Sequence, residues 1–321
     1  VKNRTHFTRW HAAAVAGLLA VVVAATPAVT AQQFLNIATG GTAGTYYPLG
    51  GALGEIFNQH VPGVNASVQA TGASVANVNM IAQGQVDLAF IQNDIAYYAA
   101  QAQEMFKSPV QNLQGIATLY PEVIQIVARA DSGIRSVADL KGKRVAVGDA
   151  GSGTEANARQ ILAAAGITYQ DVSARYLSFA EAASNLRDGH IDAAFVTAGL
   201  PTGAIQDVAA QRAIVLVAVG DDLVAKLQDQ YPFYTRAVVK GGTYRGVEDD
   251  VQTVAVKAML AVRADLPEGL VYSLTKALFE NLPRMAQAHA RGGDLSLATA
   301  QDGMSLTVHP GAARYYAETG H

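Results

Sequence analysis

Short apolar runs alternate with amphipathic stretches along most of the chain, and the alternation occurs twice in the same order. Phe34 to Thr39 reads as a short buried strand, followed by Gly40-Gly41-Thr42-Ala43-Gly44-Thr45 and a helical stretch from Tyr47 to Gln59. Arg144 to Gly148 reads as a second such strand, followed by Asp149-Ala150-Gly151-Ser152-Gly153-Thr154 and a helix from Glu155 to Ala165. Further on, Gly84-Gln85-Val86-Asp87-Leu88-Ala89-Phe90-Ile91 is echoed by Gly189-His190-Ile191-Asp192-Ala193-Ala194-Phe195-Val196. Both read Gly, polar, β-branched, Asp, apolar, Ala, Phe, β-branched. Amphipathic helices precede them at Ser74 to Gln83 and Phe179 to Asp188, and polar loops follow at Gln92-Asn93-Asp94 and Thr197-Ala198-Gly199. Strand, glycine loop, helix, strand, helix, strand is the pattern of a parallel sheet with crossover helices. The offset is too long for a solenoid repeat, so the pattern predicts two similar α/β lobes.

Between the lobes, Gly115 to Ala130 reads as one long apolar strand interrupted by Tyr120-Pro121-Glu122. A proline removes a ladder donor, so the chain is expected to change sheets there and cross between lobes. A return crossing is expected at Val251 to Val262, after the polar turn that starts at Gly241, with helices at Glu268 to Asn281 and Ala312 to Thr319 closing the chain. The expected organisation is 32–121 in lobe I, 122–251 in lobe II and 252–321 returning to lobe I, with the crossings as hinges around a cleft.

The first thirty-one residues read differently. Lys2, Arg4 and Arg9 precede an uncharged apolar run from Ala12 to Ala25, and Val29-Thr30-Ala31 places small residues at the −3 and −1 positions of a cleavage site. This is the layout of a secretory signal peptide. The run falls short of the roughly 20 residues a spanning helix needs. Export to the periplasm with cleavage before Gln32 is the expectation.

Composition then removes whole classes of chemistry. The 321 residues include no cysteine, so thiol nucleophiles, disulfides and Cys-ligated metals are excluded. A net charge of −3 gives no electrostatic reason to expect nucleic acid. His60, His190, His289, His309 and His321 show no zinc-ligand spacing, and there is no H-E-x-x-H. The glycine loops are neither P-loops nor G-x-G-x-x-G fingerprints, and no G-x-S-x-G elbow occurs. No cofactor, metal or catalytic constellation is expected.

The glycine loops themselves carry the functional signal. A loop that leaves a strand and opens a helix presents free backbone N–H groups and the positive end of the helix, which suit a carboxylate or phosphate. The candidate ligand contacts are Thr42, Gly44, Thr45 and Tyr46 in the first loop and Ser152, Gly153 and Thr154 in the second. A third loop, Thr71-Gly72-Ala73-Ser74, adds Ser74 and, one turn on, Asn77. The strand ends add Gln92, Thr197 and Gly199, and Tyr120 is a candidate wall residue because tyrosine offers an apolar face with a polar tip. The Thr45 hydroxyl is expected to point into the cleft, and a β-branched side chain at Gly44 to abolish binding. Plain helix capping is the competing account: Ser152-x-x-Glu155 has the form of a capping box, and Thr45 could cap a helix that begins near Pro48.

The run Ile37-Ala38-Thr39-Gly40-Gly41-Thr42-Ala43-Gly44-Thr45-Tyr46-Tyr47-Pro48-Leu49-Gly50, with Ala70-Thr71-Gly72-Ala73-Ser74-Val75-Ala76-Asn77, resembles the TAXI-type solute receptors of TRAP transporters. So do Asp87-Leu88-Ala89-Phe90 with Gln92-Asn93-Asp94, Gly151-Ser152-Gly153-Thr154 and the terminal His309-Pro310-Gly311-Ala312 with Arg314-Tyr315-Tyr316. The resemblance implies a type II periplasmic-binding-protein fold, a TRAP-type membrane permease as partner, and a small anionic solute such as glutamate or a dicarboxylate. The related dicarboxylate receptors pair the solute with a pocket arginine, and none lies in the loops here; Arg236 is the one candidate, a surface arginine the competing account. An importer driven by ATP, a sensor kinase, or an exported enzyme on the same fold are the alternatives. A monomer is expected.

Overall fold

The computed structural model describes residues 32–321, so the expected signal peptide lies outside the described residues. The first half of the molecule opens with β1 (Gln33–Ala38), α1 (Tyr46–His60), β2 (Val64–Gln69), α2 (Ser74–Ala82), β3 (Leu88–Gln92) and α3 (Asn93–Gln101). β4 (Gln114–Arg129) leads into the second half: β5 (Arg144–Gly148), α4 (Gly153–Ala164), β6 (Ser173–Tyr176), α5 (Phe179–Asp188) and β7 (Ala193–Ala198). There follow α6 (Gly203–Gln211), β8 (Ile214–Val217), α7 (Asp221–Gln230) and β9 (Thr235–Val239). β10 (Val251–Val262) runs back, and α8 (Glu268–Glu280), α9 (Leu282–Ala288) and α10 (Pro310–Thr319) pack on the first half. No described helix is long and apolar enough to cross a membrane.

The strands form one curled, mixed sheet in the order β2-β1-β3-β10-β4-β7-β5-β6, with β8 on β4 and β9 on β10. Each half is the same unit. β1 lies parallel to β2 and β3, with β10 antiparallel beside β3; β5 lies parallel to β6 and β7, with β4 antiparallel beside β7.

The echoed Gly-x-x-Asp motif has a physical reason. Gly84 and Gly189 both take positive φ, +67° and +79°, at the turn between helix and strand, a conformation a side chain would strain. The aspartate three residues on then pins the sheet. Asp87 Oδ2 accepts from the Asn36 N–H of β1 at 2.8 Å, and its Oδ1 from Arg263, just past β10, at 3.1 Å. Asp192 Oδ2 accepts from the Arg144 N–H of β5 at 2.9 Å, and its Oδ1 from Arg129, at the end of β4, at 3.1 Å. Arg144 adds a further bond at 2.7 Å, and the paired guanidinium holds the Asp192 carboxyl down at about 2.

Apolar cores lie within each half. In the first, Leu49, Leu53 and Phe57 of α1 pack with Leu274 and Leu278 of α8 and Tyr316 of α10. In the second, Ile161 and Leu162 of α4 pack with Val145 and Val147 of β5 and Val224 and Leu227 of α7. Each such side chain contributes about 1.5–3 kcal/mol when fully buried.

Two expectations are corrected. β4 is not broken at Pro121 and the chain does not change sheets; the strand continues, with Pro121 opposite Lys257 of β10. Pro121 has no N–H to give the ladder, and on the other strand the Lys257 N–H turns to Asn93 Oδ1 at 2.9 Å. β10 absorbs the irregularity as a register shift between Lys257 and Met259. The polar stretch Gln92-Asn93-Asp94 is not a loop either. β3 runs straight into α3 with Gln92 as its N-cap residue, and Asp94 stands in the first helical turn, where a negative charge is favoured.

Candidate functional site

A cavity of about 50 Å³ lies where the two halves meet, room for a solute of a few heavy atoms. Four helices start at its wall. α1 arrives through Thr45 and Tyr46, α2 through Ala73 and Ser74, α4 through Ser152, Gly153 and Thr154, and α5 through Ser178 and Phe179. Gln92 and Thr197 close it from the ends of β3 and β7, and Glu122 from β4. Gly40, Gly41 and Gly44 of the first loop complete one side.

Of the residues expected here, Gly44, Thr45, Tyr46, Ser74, Gln92, Ser152, Gly153, Thr154 and Thr197 line this cavity. Thr42, Asn77, Tyr120 and Gly199 do not. Thr42 borders a separate surface depression with Pro48 and His289. Asn77 is fully buried behind the wall, where its Nδ2 donates to the Thr39 and Phe90 carbonyls at 2.6 and 2.8 Å and so ties α2 to β1 and β3. Tyr120 sits in the core of the first half, its hydroxyl buried without a partner. Gly199 is spent on Thr45: its N–H donates to Thr45 Oγ1 at 3.1 Å, and the Thr45 hydroxyl reaches back to its carbonyl at 3.4 Å. The Thr45 hydroxyl is therefore not free for a ligand, nor does it cap its own helix. It ties the two halves together.

Ser152 behaves as the capping account requires. Its Oγ accepts from the Glu155 N–H at 3.1 Å. The return half of the box is missing, because the Glu155 carboxylate turns to Tyr169 at 2.9 Å and Arg159 at 3.5 Å. Ser74 Oγ is also engaged, accepting from the Gln92 N–H at 3.1 Å. Arg236 takes no part, since it is half-exposed on β9 and pairs with Asp221.

The halves are drawn together around the cavity. The Ala76 N–H donates to the Gly151 carbonyl at 3.0 Å. Asn157 of α4 is buried at the centre: its Nδ2 donates to Asp94 at 2.9 Å and its Oδ1 accepts from Gln92 Nε2 at 3.1 Å and from Thr197 at 3.0 Å. Burial raises the Asp94 carboxyl to about 6 despite that donor.

Sequence reasoning missed the most unusual wall residue. Glu122 is 2% exposed and its Oε2 accepts from the Tyr46 hydroxyl at 2.5 Å. Burial pushes its carboxyl up to about 8, the Tyr46 bond pulls the other way, and the neighbouring Asp94 charge pushes it further up. Tyr46 in turn is raised, first by its own burial and then by Glu122. The available signal was a lone acid inside an apolar strand, beside a proline that drew attention to the backbone instead. Asp149 and Phe179 were also passed over as loop and helix residues. Among the described residues no lysine, arginine or histidine lines the cavity, and no cluster of three or more metal-ligating side chains occurs.

A sequence profile of the NMT1-like family matches residues 37–320. The chain belongs to the NMT1-like family. Its fold is that of periplasmic binding proteins. The periplasmic aliphatic sulphonate binding protein SsuA of Escherichia coli superposes with a TM-score of 0.51 at 19% identity, over 89% of this chain and 83% of that one. PhnD1 of Prochlorococcus marinus, solved with methylphosphonate, gives 0.56 at 12% identity over 82% and 90%. A putative L-cystine ABC transporter protein of Listeria monocytogenes gives 0.51 at 15% identity over 82% and 98%. At these identities the likeness concerns the fold.

Proposed function

We propose that this NMT1-like chain is an extracytoplasmic solute receptor, carrying out no covalent chemistry, that closes on a small carboxylate-bearing solute and delivers it to a membrane permease. The observation that carries this reading is the convergence of four helix N-termini on one cavity between two halves. First-turn N–H groups lack intrahelical acceptors, and the aligned peptide dipoles favour an anion there. Such ends can hold a carboxylate without an arginine. Gly44, Thr45, Tyr46, Ser74, Gln92, Ser152, Gly153, Thr154 and Thr197 are the contacts we assign to the solute or its immediate frame. The signal-like first thirty-one residues support a periplasmic location.

The resemblance to TAXI receptors favours a TRAP-type permease as the partner. The fold likeness to a protein named as an L-cystine ABC transporter favours a second reading, an ATP-driven importer. Uptake into membrane vesicles supplied with this protein separates them: dependence on an ion gradient supports the first, dependence on ATP the second. The receptor reading itself is tested by a thermal-shift screen over small organic and amino acids. A ligand at 100 times its dissociation constant adds about 2.7 kcal/mol of stability, and the expected outcome is a clear rise in melting temperature with at least one. Conversion of a candidate to product would overturn the reading.

A further inference from the structure

We propose that His289 is a positioning residue for closure: from a strap on the first half it donates a hydrogen bond to the Pro201 carbonyl of the second half, and it serves only as the neutral imidazole. The proposal takes the opening and closing of the halves from the receptor reading and rests on it.

The tautomer is fixed by the chain itself. His289 follows α9 and heads the short helical turn Ala290–Asp294, where its Nδ1 accepts from the Arg291 N–H at 3.1 Å. A ring nitrogen that accepts carries no proton, so in the neutral imidazole the proton sits on Nε2. Nε2 lies 3.2 Å from the Pro201 carbonyl and donates to it. His309 shows the same device within one half: its Nδ1 accepts from the Gly311 N–H at 3.1 Å, and its Nε2 meets the Leu266 carbonyl at 3.1 Å. There the bond fastens α10 to the segment before α8, and the ring is buried. The His289 ring is half-buried, and its bond joins the two halves instead. Its surroundings belong to the same contact. The Thr45 bond to Gly199 lies two residues before Pro201, and the Ala204 N–H reaches the Ala43 carbonyl at 3.4 Å just after it. Gly44 borders both the cavity and the depression at His289. The strap is also stiff: a methyl group on Gly292 would strike the Met285 carbonyl, and Arg291, lying against Gly199, pairs with Asp294 at 2.9 Å.

The charged groups that act on His289 are Arg291 and Asp294, both of its own strap; among the described residues the first loop, α1 and α6 bring none to the depression. Burial lowers the imidazole below its ordinary 6.5, the Pro201 carbonyl pulls it up, Arg291 pushes it down and Asp294 pulls it up. A second proton would go on Nδ1 and face the Arg291 N–H, donor against donor. Closure therefore favours the neutral ring. Its contribution is complete above the ordinary value of 6.5 and is lost as pH falls below it. Asp94 and Glu122, whose carboxyls burial raises, act in the opposite sense, so the share of His289 is read as a difference between two proteins.

Because the chain has no cysteine, spin labels can be placed at will. Tyr47→Cys and Tyr176→Cys put one on each half, at exposed positions, and double electron–electron resonance reads the distance between them in the whole protein with no solute added. The expected result at pH 7.5 is a short-distance, closed population in the otherwise wild-type chain. His289→Ala should lower the ratio of closed to open molecules about fivefold, the worth of one hydrogen bond of about 1 kcal/mol. His289→Gln keeps a donor where Nε2 stands and does not titrate, so it should restore most of that loss. Between pH 7.5 and pH 5.5 the wild-type ratio should fall relative to His289→Gln, by at most about tenfold for a group whose ordinary value is 6.5. Identical distances in wild type and His289→Ala would overturn the strap, as would a shared pH course in wild type and His289→Gln. A wild type with no short-distance population overturns it too. The receptor reading survives each of these outcomes if a small acid raises the melting temperature, and fails without one whatever the distances show. Should His289→Ala not fold, the pH course of wild type against His289→Gln decides the matter.

Discussion

The two glycine loops are close to interchangeable on paper, and the structure gives them different work. Both follow the first strand of a parallel trio, both open a helix at the cavity, and both carry a hydroxyl at the N-cap position. Ser152 spends its oxygen on its own helix, accepting from the Glu155 N–H. Thr45 spends its hydroxyl on the opposite half, on the backbone of Gly199. The same residue type at the same place in a repeat can thus stabilise a helix or latch two lobes. What decides it is the neighbour: Gly199 follows β7 with no side chain to keep Thr45 away, and a methyl added there would strike Thr45 and Arg291.

The largest effect expected from breaking this comparison comes from the glycines. A methyl group on Gly153 would fall inside the Gln92 amide, which could move only by releasing Asn157. A methyl group on Gly44 would meet the Gly41 carbonyl and the Phe179 ring at 3.4 Å, an ordinary contact. Gly153→Ala should therefore lower unfolding stability by about 1–3 kcal/mol, as overpacking does, and weaken solute binding by more than a hundredfold. Gly44→Ala should change solute affinity less than tenfold, while the β-branched side chain of Gly44→Val is still expected to abolish binding. Urea unfolding and calorimetric titration of both proteins measure this; equal losses would mean that the loops are equivalent after all.

Thr45→Ala comes next. Removing the hydroxyl orphans the buried Gly199 N–H only while the halves are together, since water can satisfy it once they part. An unmet buried donor costs about 1–3 kcal/mol, so closure should weaken and solute affinity fall by on the order of tenfold. Small-angle scattering of the empty protein should show a larger radius of gyration than wild type, and Thr45→Ser should restore both properties. An unchanged affinity would remove the latch.

How much of this was legible follows the range of the interactions. The repeated Gly-x-x-Asp strands, the glycine loops and the helix from Phe179 to Asp188 could be read because turn chemistry, capping and periodicity are local. The role of Asp87 could not, because Arg263 lies far along the chain and only the antiparallel return of β10 brings it close. Pro121 misled for a similar reason: the strand opposite it, β10, comes from far along the chain and takes up the irregularity as a register shift. Glu122 was hidden by its own rarity. An acid in an apolar strand is legible as an anomaly, but its meaning depends on Tyr46, which the fold of α1 against β4 places beside it and the sequence does not. The nine expected residues that line the cavity share one trait, that a strand end or helix start fixed them locally. Asn77 failed because one helical turn carries a side chain from the cavity to the core behind it.

Ser152→Ala makes the smallest change and the most discriminating one when set beside Thr45→Ala. Its Oγ satisfies the Glu155 N–H, one of the first-turn donors of α4 that have no carbonyl within the helix. Loss of such a cap costs about 1 kcal/mol of folding stability, and replacement by glycine only a few tenths. The oxygen points along its own helix and not across to the first half, so opening and closing should be unaffected. Ser152→Ala is thus expected to lower the urea midpoint with solute affinity within about threefold of wild type and with no change in radius of gyration. Thr45→Ala is expected to do the reverse. If Ser152→Ala instead weakens binding tenfold at unchanged stability, its hydroxyl is a ligand contact and the capping bond is dispensable, and the two loops are then alike in serving the solute.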